Sequence, residues 1–301
     1  MDLSFKRYQH IEKWGHIETE GIDIGVCHVF PKLDGSNASV WIRDGDIYAG
    51  SRNRILKLDN DNAGFFSWVI NNEPVCEFLY KNPHLRLYGE WLVPHTINGY
   101  RESAWRKFYV FDIYDHSAER MLHYQEYYNI DDTLKLNIIE PIAIINNPTE
   151  ENIIRIVNSN TYLMEDGAGI GEGVVVKNYN YVNKFNRQVW AKYVRSEFKE
   201  NNRKAMGISV IDGSITNESF LVDKFVTPTF VQKERAKIEI DLGITDRKIL
   251  IPRLLQTVWY ELIKEEMWSM LKELKGNKTI DFKKLNAHVT YTVKKYSPDL
   301  F

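Results

Sequence analysis

The stretch FPKLDGSNASVW, residues 30–41, places a lysine at the junction of two apolar runs. The run VCHVF before it and the run ASVW after it are rich in β-branched and aromatic residues, which favour strands. Lys32 therefore stands at the end of a predicted strand, two residues before Asp34 and three before Gly35. Such a lysine is either the exposed edge of a strand and its turn or an amine held for reaction. The rest of the chain has to decide between these two interpretations.

Further short strands separated by turn signals surround this junction between residues 20 and 200. The hairpin signal RDGD at 43–46 joins two of them, and the segments 61–73 and 148–160 have helical spacing, the second with Thr149 as N-cap. The pattern predicts an α+β domain of antiparallel sheets with flanking helices. The predicted strands are IGVCHVF (24–30), ASVWIR (38–43), DIYAGS (46–51), LRLYGEWL (85–92), KFYVFDIYD (107–115), EGVVVKN (172–178) and QVWAKYV (188–194).

The character of the chain changes after about residue 205. A polar stretch at 206–219 is predicted to be a linker, and apolar residues then recur at three- and four-residue steps from 248 to Gly276 and Asn277, which end the helix. Residues 281–296 form one more predicted helix. We therefore expect two domains, 1–205 with the sheets and 206–301 with helices alone.

Composition restricts the class of protein. Of the 301 residues, 44% are hydrophobic and 27% charged, which is typical of a globular chain. No run of eighteen apolar residues could span a membrane, and the N-terminus is too polar for a secretory signal, so we expect a cytoplasmic protein with thiols at Cys27 and Cys76. The net charge of −2 argues against coating nucleic acid through bulk charge. It leaves room for an enzyme that gathers its cations on one face.

Six short motifs follow one another along the predicted strands. They are KLDG (32–35), SRNR (51–54), YGE (88–90), FYVFDI (108–113), EGVVVK (172–177) and WAKYV (190–194). Each alone has a structural explanation, but in this order they resemble the covalent nucleotidyltransferase superfamily of polynucleotide ligases and capping enzymes. The fit is closest to ATP-dependent RNA ligases that seal nicks in double-stranded RNA, the phage RNA ligase two type. FKRYQHIE (5–12), SEFKE (196–200) and a helical C-terminal domain in place of an OB-fold add to that likeness.

The resemblance implies a role for each matching residue. The enzyme would use ATP and Mg²⁺, with Mn²⁺ able to substitute, and would act as a monomer on RNA that carries 5′-phosphate and 3′-hydroxyl ends. The C-terminal domain would engage the RNA substrate. The implied site comprises Lys32 as the nucleophile that becomes lysyl-adenylate, Asp34 and Asn37 as supporting contacts, Arg52 at a phosphate, Glu90 at the ribose and the metal, Phe111 stacked on adenine with Asp112 beside it, Glu172 at the metal, and Lys177 and Lys192 at the phosphates.

The chemistry explains why such residue types are needed. A lysine amine is protonated at neutral pH and must lose its proton before it attacks a phosphorus atom. Neighbouring cations, a divalent metal or partial burial favour that loss, so we expect Lys177 and Lys192 close to Lys32. Glu90 and Glu172 suit Mg²⁺, which keeps several waters and uses few carboxylates.

Two positions depart from the family pattern. The branch has a glutamate shortly before the nucleophile, where this chain has Pro31, and it has K-x-K in the last motif, where this chain has Val194. Arg195 or Arg187 could supply the missing cation. A DNA ligase or a GTP-dependent capping enzyme shares the same active site, and a non-catalytic nucleic-acid-binding relative is a further alternative. The frequent Asn, Ile, Lys and Tyr hint at an AT-rich genome such as that of a phage.

Overall fold

The structure is a computed structural model that describes residues 4–94, 97, 99–128, 136–195, 216–274 and 279–301. The chain divides into two compact units, Met1–Asn202 and Arg203–Phe301. Each unit has a hydrophobic core of its own. Both cysteines are free thiols. Within the described ranges, no helix is long and apolar enough to cross a membrane.

Two β-sheets form the first unit. The first sheet has the order β1-β11-β10-β2-β9 and the second the order β4-β3-β5-β6-β7, with β8 paired to β6. Only β1 and β8 run parallel to their partners among the described pairs. The strands are β1 (Glu12–Lys13), β2 (Val26–Lys32), β3 (Ser36–Arg43), β4 (Asp46–Ser51), β5 (Leu85–Trp91), β6 (Phe108–Asp115), β7 (Arg120–Met121), β8 (Asn137–Ile138), β9 (Ala143–Asn146), β10 (Gly173–Lys177) and β11 (Ala191–Val194).

Helices flank the sheets and then make up the second unit. The described α-helices are α1 (Phe65–Ile70), α2 (Glu73–Lys81), α3 (Tyr124–Tyr127), α4 (Glu150–Ser159), α5 (Asn217–Phe225), α6 (Pro228–Asp241), α7 (Arg247–Glu273) and α8 (Phe282–Tyr296). The predicted α+β fold of antiparallel sheets with helices after them is confirmed. Three of the predicted features fall wholly or partly outside the described residues. They are the end of the long helix at Gly276 and Asn277, residues 206–215 of the predicted linker, and the SEFKE segment at 196–200.

Local signals explain several element boundaries. Arg43 and Asp46 pair across a two-residue turn, and Asp44 and Gly45 have φ of 55° and 88°. Positive φ at both turn residues is what a type I′ hairpin requires, so the predicted RDGD hairpin is confirmed. The predicted N-cap is also confirmed, because the Thr149 hydroxyl accepts the N–H of Asn152 at 3.3 Å.

The two faces of the first sheet differ in chemistry. Residues directly paired across strands lie on the same side of a sheet, and one side consists of apolar residues that pack on Ile153 and Val157 of α4. On the other side, Lys32 on β2 is paired with Gly173 on β10. Val175, the next residue of β10 on that side, is paired with Phe30 on β2 and with Lys192 on β11. It faces the second sheet, because Lys177 on β10 pairs with Asp112 on β6. The first sheet thus presents its lysines to the space between the sheets.

Candidate active site

Lys32 is the last residue of β2 and forms an ion pair at the edge of this space. Its Nζ lies 2.6 Å from Oε2 of Glu172, with side-chain exposures of 22% and 8%. Glu172 directly precedes β10, whose first residue, Gly173, is paired with Lys32, so strand register brings the two charges together. A Cβ at Gly173 would lie 2.1 Å from the carbonyl oxygen of Tyr193. Only glycine fits between these strands, which fixes the carboxylate that precedes it.

The turn after Lys32 is held by the loop between β5 and β6. The backbone N–H of Asp34 donates to the hydroxyl of Tyr100 at 2.9 Å, and the Asp34 carboxylate accepts the N–H of Ile97 at 2.8 Å. Asp34 and Tyr100 are 3% and 4% exposed. Asp34 therefore acts on the turn that follows the lysine, and a contact with nucleotide stays a prediction.

Gly35 connects the turn to β5. Its N–H donates to Oε1 of Glu90 at 2.9 Å. A Cβ at Gly35 would lie 2.6 Å from the carbonyl oxygen of Trp91 and 3.1 Å from Cγ of Glu90. The glycine is needed because the turn packs against the end of β5. This close approach also brings Glu90 to the Lys32 side of the turn.

Glu90 lies in the electrostatic field of the same cluster. Burial raises its pKa to about 7, the charge of Lys32 and the N–H of Gly35 oppose that shift, and Glu172 and Asp34 add to it. Asn37 is paired with Glu90 across β3 and β5, so the two side chains share a face. The structure thus brings together the predicted residues Lys32, Asp34, Asn37, Glu90 and Glu172.

The described contacts of the Lys177 ammonium include those with β6 and with the Phe30 ring. Its Cα is paired with that of His28, four residues or about 13 Å from Lys32 along β2, while its Nζ lies 4.5 Å from the centroid of the Phe30 ring, two residues from Lys32. Its ammonium donates to Asp112 at 2.7 Å and to the carbonyl oxygen of Phe111 at 2.6 Å. Burial lowers the pKa of Lys177, and the charge of Asp112 opposes that shift. The described ion pair of Lys32 is with the carboxylate of Glu172, and the expected closeness of Lys177 and Lys192 to Lys32 stays a prediction.

Asp112 is the buried anchor of this ion pair. Besides Lys177, it accepts the hydroxyl of Tyr8 at 2.5 Å and the indole N–H of Trp190 at 3.2 Å. Its side chain is 0% exposed and that of Lys177 is 2% exposed. In this structure the pair joins the two sheets and offers no charge to solvent. The predicted nucleotide contacts of both residues stay predictions.

Phe111 owes its position to a β-bulge. Tyr88 is paired with Asp112 and Gly89 with Val110, so Phe111 is the extra residue on β6. Bulges re-aim side chains and recur next to active sites. The ring is partly buried, with its centroid 4.9 Å from that of Tyr8. Stacking on a base stays a prediction for this residue.

The cations of the last motif are distributed unevenly. Lys192 is partly exposed on the same face as Lys32, and Val194 is opposite Gly173 on that face. The guanidinium of Arg195 donates to the carbonyl oxygen of Ile170 at 3.1 Å. Arg187 pairs with Glu18. Neither arginine takes the place of the missing lysine in this structure.

Arg52 directly follows β4, whose last residue, Ser51, is paired with Ala38 on β3. Its guanidinium lies 3.3 Å from Nδ1 of His10. His10 in turn lies 3.8 Å from Glu12. Among the described contacts, Arg52 makes none with Lys32, Glu90 or Glu172. Its predicted contact with a phosphate stays a prediction.

Sequence reasoning missed three aromatic residues that hold the site. The carboxylate of Asp112 accepts hydrogen bonds from the hydroxyl of Tyr8 and the indole N–H of Trp190. The hydroxyl of Tyr100 accepts the backbone N–H of Asp34. Tyr8 and Trp190 lie inside segments that the family pattern singles out, FKRYQHIE and WAKYV, and that placement was the available signal. Tyr100 lies in a loop without a motif, so nothing in its local sequence distinguishes it.

Comparisons with known proteins show the family and the fold of the chain. The sequence profile of the family described as RNA ligase matches residues 26–194, more than half of the chain. The comparison with curated proteins finds no match. Three solved structures of Naegleria gruberi RNA ligase are similar in fold. The structure with PPi has 21% identity, a TM-score of 0.52 and covers 68% of this chain and 60% of that chain.

Two further structures are of mutants of the same Naegleria ligase. One, with ATP and Mn, has 21% identity, a TM-score of 0.51 and covers 66% of this chain and 59% of that chain. The other, with AMP and Mn, has 20% identity, a TM-score of 0.51 and covers 67% and 60%. This chain thus spans about three fifths of the length of the solved ligases it matches. On the match over residues 26–194, the chain belongs to the RNA ligase family.

Proposed function

We propose that this protein is an ATP-dependent RNA ligase that joins RNA 3′-hydroxyl and 5′-phosphate ends through a lysyl-AMP on Lys32 and an RNA-adenylate. The observation that carries the proposal is the ion pair of Lys32 with Glu172, 2.6 Å long, at the space between the sheets. Family membership supports it, and so do similar solved ligases with ATP and Mn or with AMP and Mn.

Lys32 would attack the α-phosphorus of ATP. The bond from Nζ to that phosphorus forms, the bond to the oxygen of the leaving pyrophosphate breaks, and the ammonium gives up two of its three protons, one before the attack and one as the N–P bond forms. Glu172 accepts a hydrogen bond from this ammonium and is the group within reach of a proton. Transfer of AMP to an RNA 5′-phosphate restores Lys32, and attack by a 3′-hydroxyl then expels AMP and forms the phosphodiester.

The donor set fits a divalent cation that keeps most of its waters. Glu90 and Glu172 act on each other electrostatically, and no group of three or more metal-ligating side chains occurs in the described part of the chain. Two carboxylates completed by water and phosphate oxygens suit Mg²⁺, with Mn²⁺ as a substitute. When bound, such an ion would neutralise charge on the phosphates and the leaving pyrophosphate.

Base recognition is the least specified part of the site. Pro31 is paired with Val174, whose side belongs to the core under α4. The residue before the nucleophile therefore points away from the Lys32 face. In the proposed enzyme, Phe111 would stack on the base, and Lys192 would meet a phosphate. A preference for ATP over GTP would have to come from other groups.

We further propose that the substrate is a nick or break in structured RNA, as the resemblance to the nick-sealing branch implies. The protein would act as a monomer in the cytoplasm and would be encoded by a phage. Two free thiols suit a reducing compartment.

The test is covalent labelling with α-labelled ATP or GTP and Mg²⁺ or Mn²⁺. We expect label from ATP on wild type and on Lys107→Ala, an exposed lysine outside the site, and none on Lys32→Ala. Label from GTP alone would indicate a capping enzyme, and no label from either would refute the proposal in favour of a binding module. The labelled protein is then offered matched nicked RNA, nicked DNA and single-stranded RNA. Sealing of nicked DNA alone would contradict an RNA ligase.

A further inference from the structure

Helix α8 of the second unit carries an unusual set of charges. Its fifteen residues, Phe282–Tyr296, include no aspartate or glutamate. This composition contrasts with the chain as a whole, where acidic residues outnumber basic ones by 41 to 39. The helix contains four lysines, all exposed: Lys283, Lys284, Lys294 and Lys295.

The lysines share one side of the helix with an exposed aromatic ring. Leu285, Val289 and Val293 fix the opposite side in the core of the second unit. At 100° per residue, all four lysines fall within about 120° of arc on the outer side, and Tyr291 lies among them. The side chain of Tyr291 is 67% exposed. We call this set of four lysines and Tyr291 the α8 face.

The α8 face is not neutralised by the protein. None of its lysines forms an ion pair with a carboxylate among the described residues. Lys284 does act electrostatically on Glu218. That carboxylate is 7% exposed and accepts the N–H of Asp281. Four positive charges with little internal compensation require an anionic partner or solvent.

We propose that the α8 face binds an RNA strand at unpaired nucleotides, with the lysines on phosphates and Tyr291 stacked on a base. The inference rests on the proposed RNA ligase function and names the feature of the substrate that the second unit recognises. Charge complementarity selects a polyanion, and an exposed ring among cations is the arrangement used for single strands. From Lys284 to Lys295 the helix rises about 16 Å, roughly five nucleotide steps of a helical strand.

The tyrosine decides between paired and unpaired RNA. Bases in a continuous duplex are stacked on each other and offer no free face to a protein ring, and A-form RNA is read mainly through its shape, phosphates and 2′-hydroxyls. Lysines alone would serve a duplex as well as a single strand. Tyr291 adds contact area only where a base is unstacked, as in a loop, a bulge or a frayed end beside a break.

Salt dependence of binding tests the lysines. The full-length variant with Lys283, Lys284, Lys294 and Lys295 all changed to Ala is compared with Lys248→Ala/Lys272→Ala, two exposed lysines of α7. Four phosphate contacts to a single strand contribute about −2.8 to the slope of log K against log salt. Between 50 and 200 mM salt, wild type should therefore lose about 50-fold more affinity than the quadruple variant. The α7 double variant should behave like wild type.

Stacking tests the tyrosine. Tyr291→Ala is compared with Tyr260→Ala, because Tyr260 on α7 is 60% exposed and lies outside the α8 face. The probes are a nicked RNA duplex and the same nick with a short unpaired segment containing 2-aminopurine. Tyr291→Ala should weaken binding to the second probe by about 5- to 150-fold and abolish quenching of 2-aminopurine. Its affinity for the fully paired probe should change by less than twofold.

Labelling of Lys32 by ATP separates this inference from the proposed function. All α8 variants should label as wild type does and keep its helical circular dichroism. If wild type labels, binds and seals RNA while the α8 variants match it in affinity, salt slope and quenching, the α8 face is not an RNA site. Equal loss on both probes for Tyr291→Ala would overturn the preference for unpaired nucleotides. Failure of wild type to label would instead refute the ligase proposal.

Discussion

Substitution can remove the charge of Lys177 or that of Asp112 while nearly preserving the size of each side chain. Lys177→Met keeps an unbranched side chain but removes the ammonium, and Asp112→Asn keeps the shape but removes the charge. In wild type, the ammonium donates two hydrogen bonds and lies 4.5 Å from the centroid of the Phe30 ring. Tyr8 and Trp190 complete the bonds of the carboxylate. The pair is therefore fully satisfied, and removal of either charge leaves the other buried alone.

The expected cost follows from that burial. Breaking a buried pair by removing one partner costs about 3–5 kcal/mol, whereas replacing both charges with neutral groups is often nearly neutral. Each single variant should lose much of the total stability of about 5–15 kcal/mol that is usual for a domain. The double variant Lys177→Met/Asp112→Asn should be more stable than either single variant. As a control, Lys81 and Glu77 form an exposed ion pair on α2, and Lys81→Met should cost less than about 1 kcal/mol.

Urea unfolding followed by tryptophan fluorescence measures these differences. With a slope of about 3 kcal/mol/M, the single variants should shift the midpoint of the first unit by 1 M or more. ATP labelling is measured alongside in the absence of urea. Stabilities that simply add in the double variant would show that the pair is not coupled. A normally stable Lys177→Met with a raised KM for ATP would return Lys177 to the predicted phosphate contact and refute the structural role.

Three further substitutions probe the turn at Lys32. Gly35→Ala places a methyl 2.6 Å from the Trp91 carbonyl oxygen, so we expect about 1–3 kcal/mol of destabilisation by thermal melting and at least tenfold slower labelling by ATP. Tyr100→Phe leaves the N–H of Asp34 buried without its acceptor, at about 1–3 kcal/mol, and should slow labelling more than it changes the KM for ATP. The pKa of Glu90 is about 7 in the folded protein against 4.5 in the unfolded chain, so the folded state binds this proton more tightly. The stability that this proton contributes is present below pH 4.5 and is lost as the pH rises through 7. In EDTA, Glu90→Gln should therefore gain up to about 3 kcal/mol relative to wild type between pH 4.5 and pH 8; a constant difference across that range would contradict the assignment.

Strand pattern was sufficient for the fold, and motif order singled out the residues of the Lys32 cluster, whose roles stay predictions. Alternation of apolar residues located the central strands, and the strand from Asp46 to Ser51 matches its prediction at both ends. Lys32 and Glu172 come together because register is set by the hydrophobic pattern. The short helix α2 and the helices α5 and α6 were not predicted. Helix α2 does carry local signals, since Asn72 caps it by accepting the N–H of Val75 and Pro74 lies in its first turn. Helices α5 and α6 depend on apolar residues such as Val222 and Val231, which pack in the core of the second unit.

The surroundings of the lysine were harder to predict because they depend on three-dimensional pairing. The need to deprotonate Lys32 predicted Lys177 close by, but it did not predict that the Lys177 ammonium forms a buried pair with Asp112 on the other sheet. Which cation meets which carboxylate is decided by the packing of two sheets, and sequence separation does not encode it. The bulge at Phe111 has the same origin, because it is defined by the count of residues on two different strands.

The contacts of Lys32 show what holds the nucleophile of the proposed ligase in place. Its Nζ lies 2.6 Å from Oε2 of Glu172, and Gly173, which follows that carboxylate, packs too closely against β11 to accept a side chain. Register and close packing therefore fix the position of the lysine from both sides. In the proposed enzyme, Glu172 and Glu90 would hold a divalent cation, so Glu172 would serve both the amine and the ion. Lys177 is engaged elsewhere, because its ammonium forms a buried pair with Asp112.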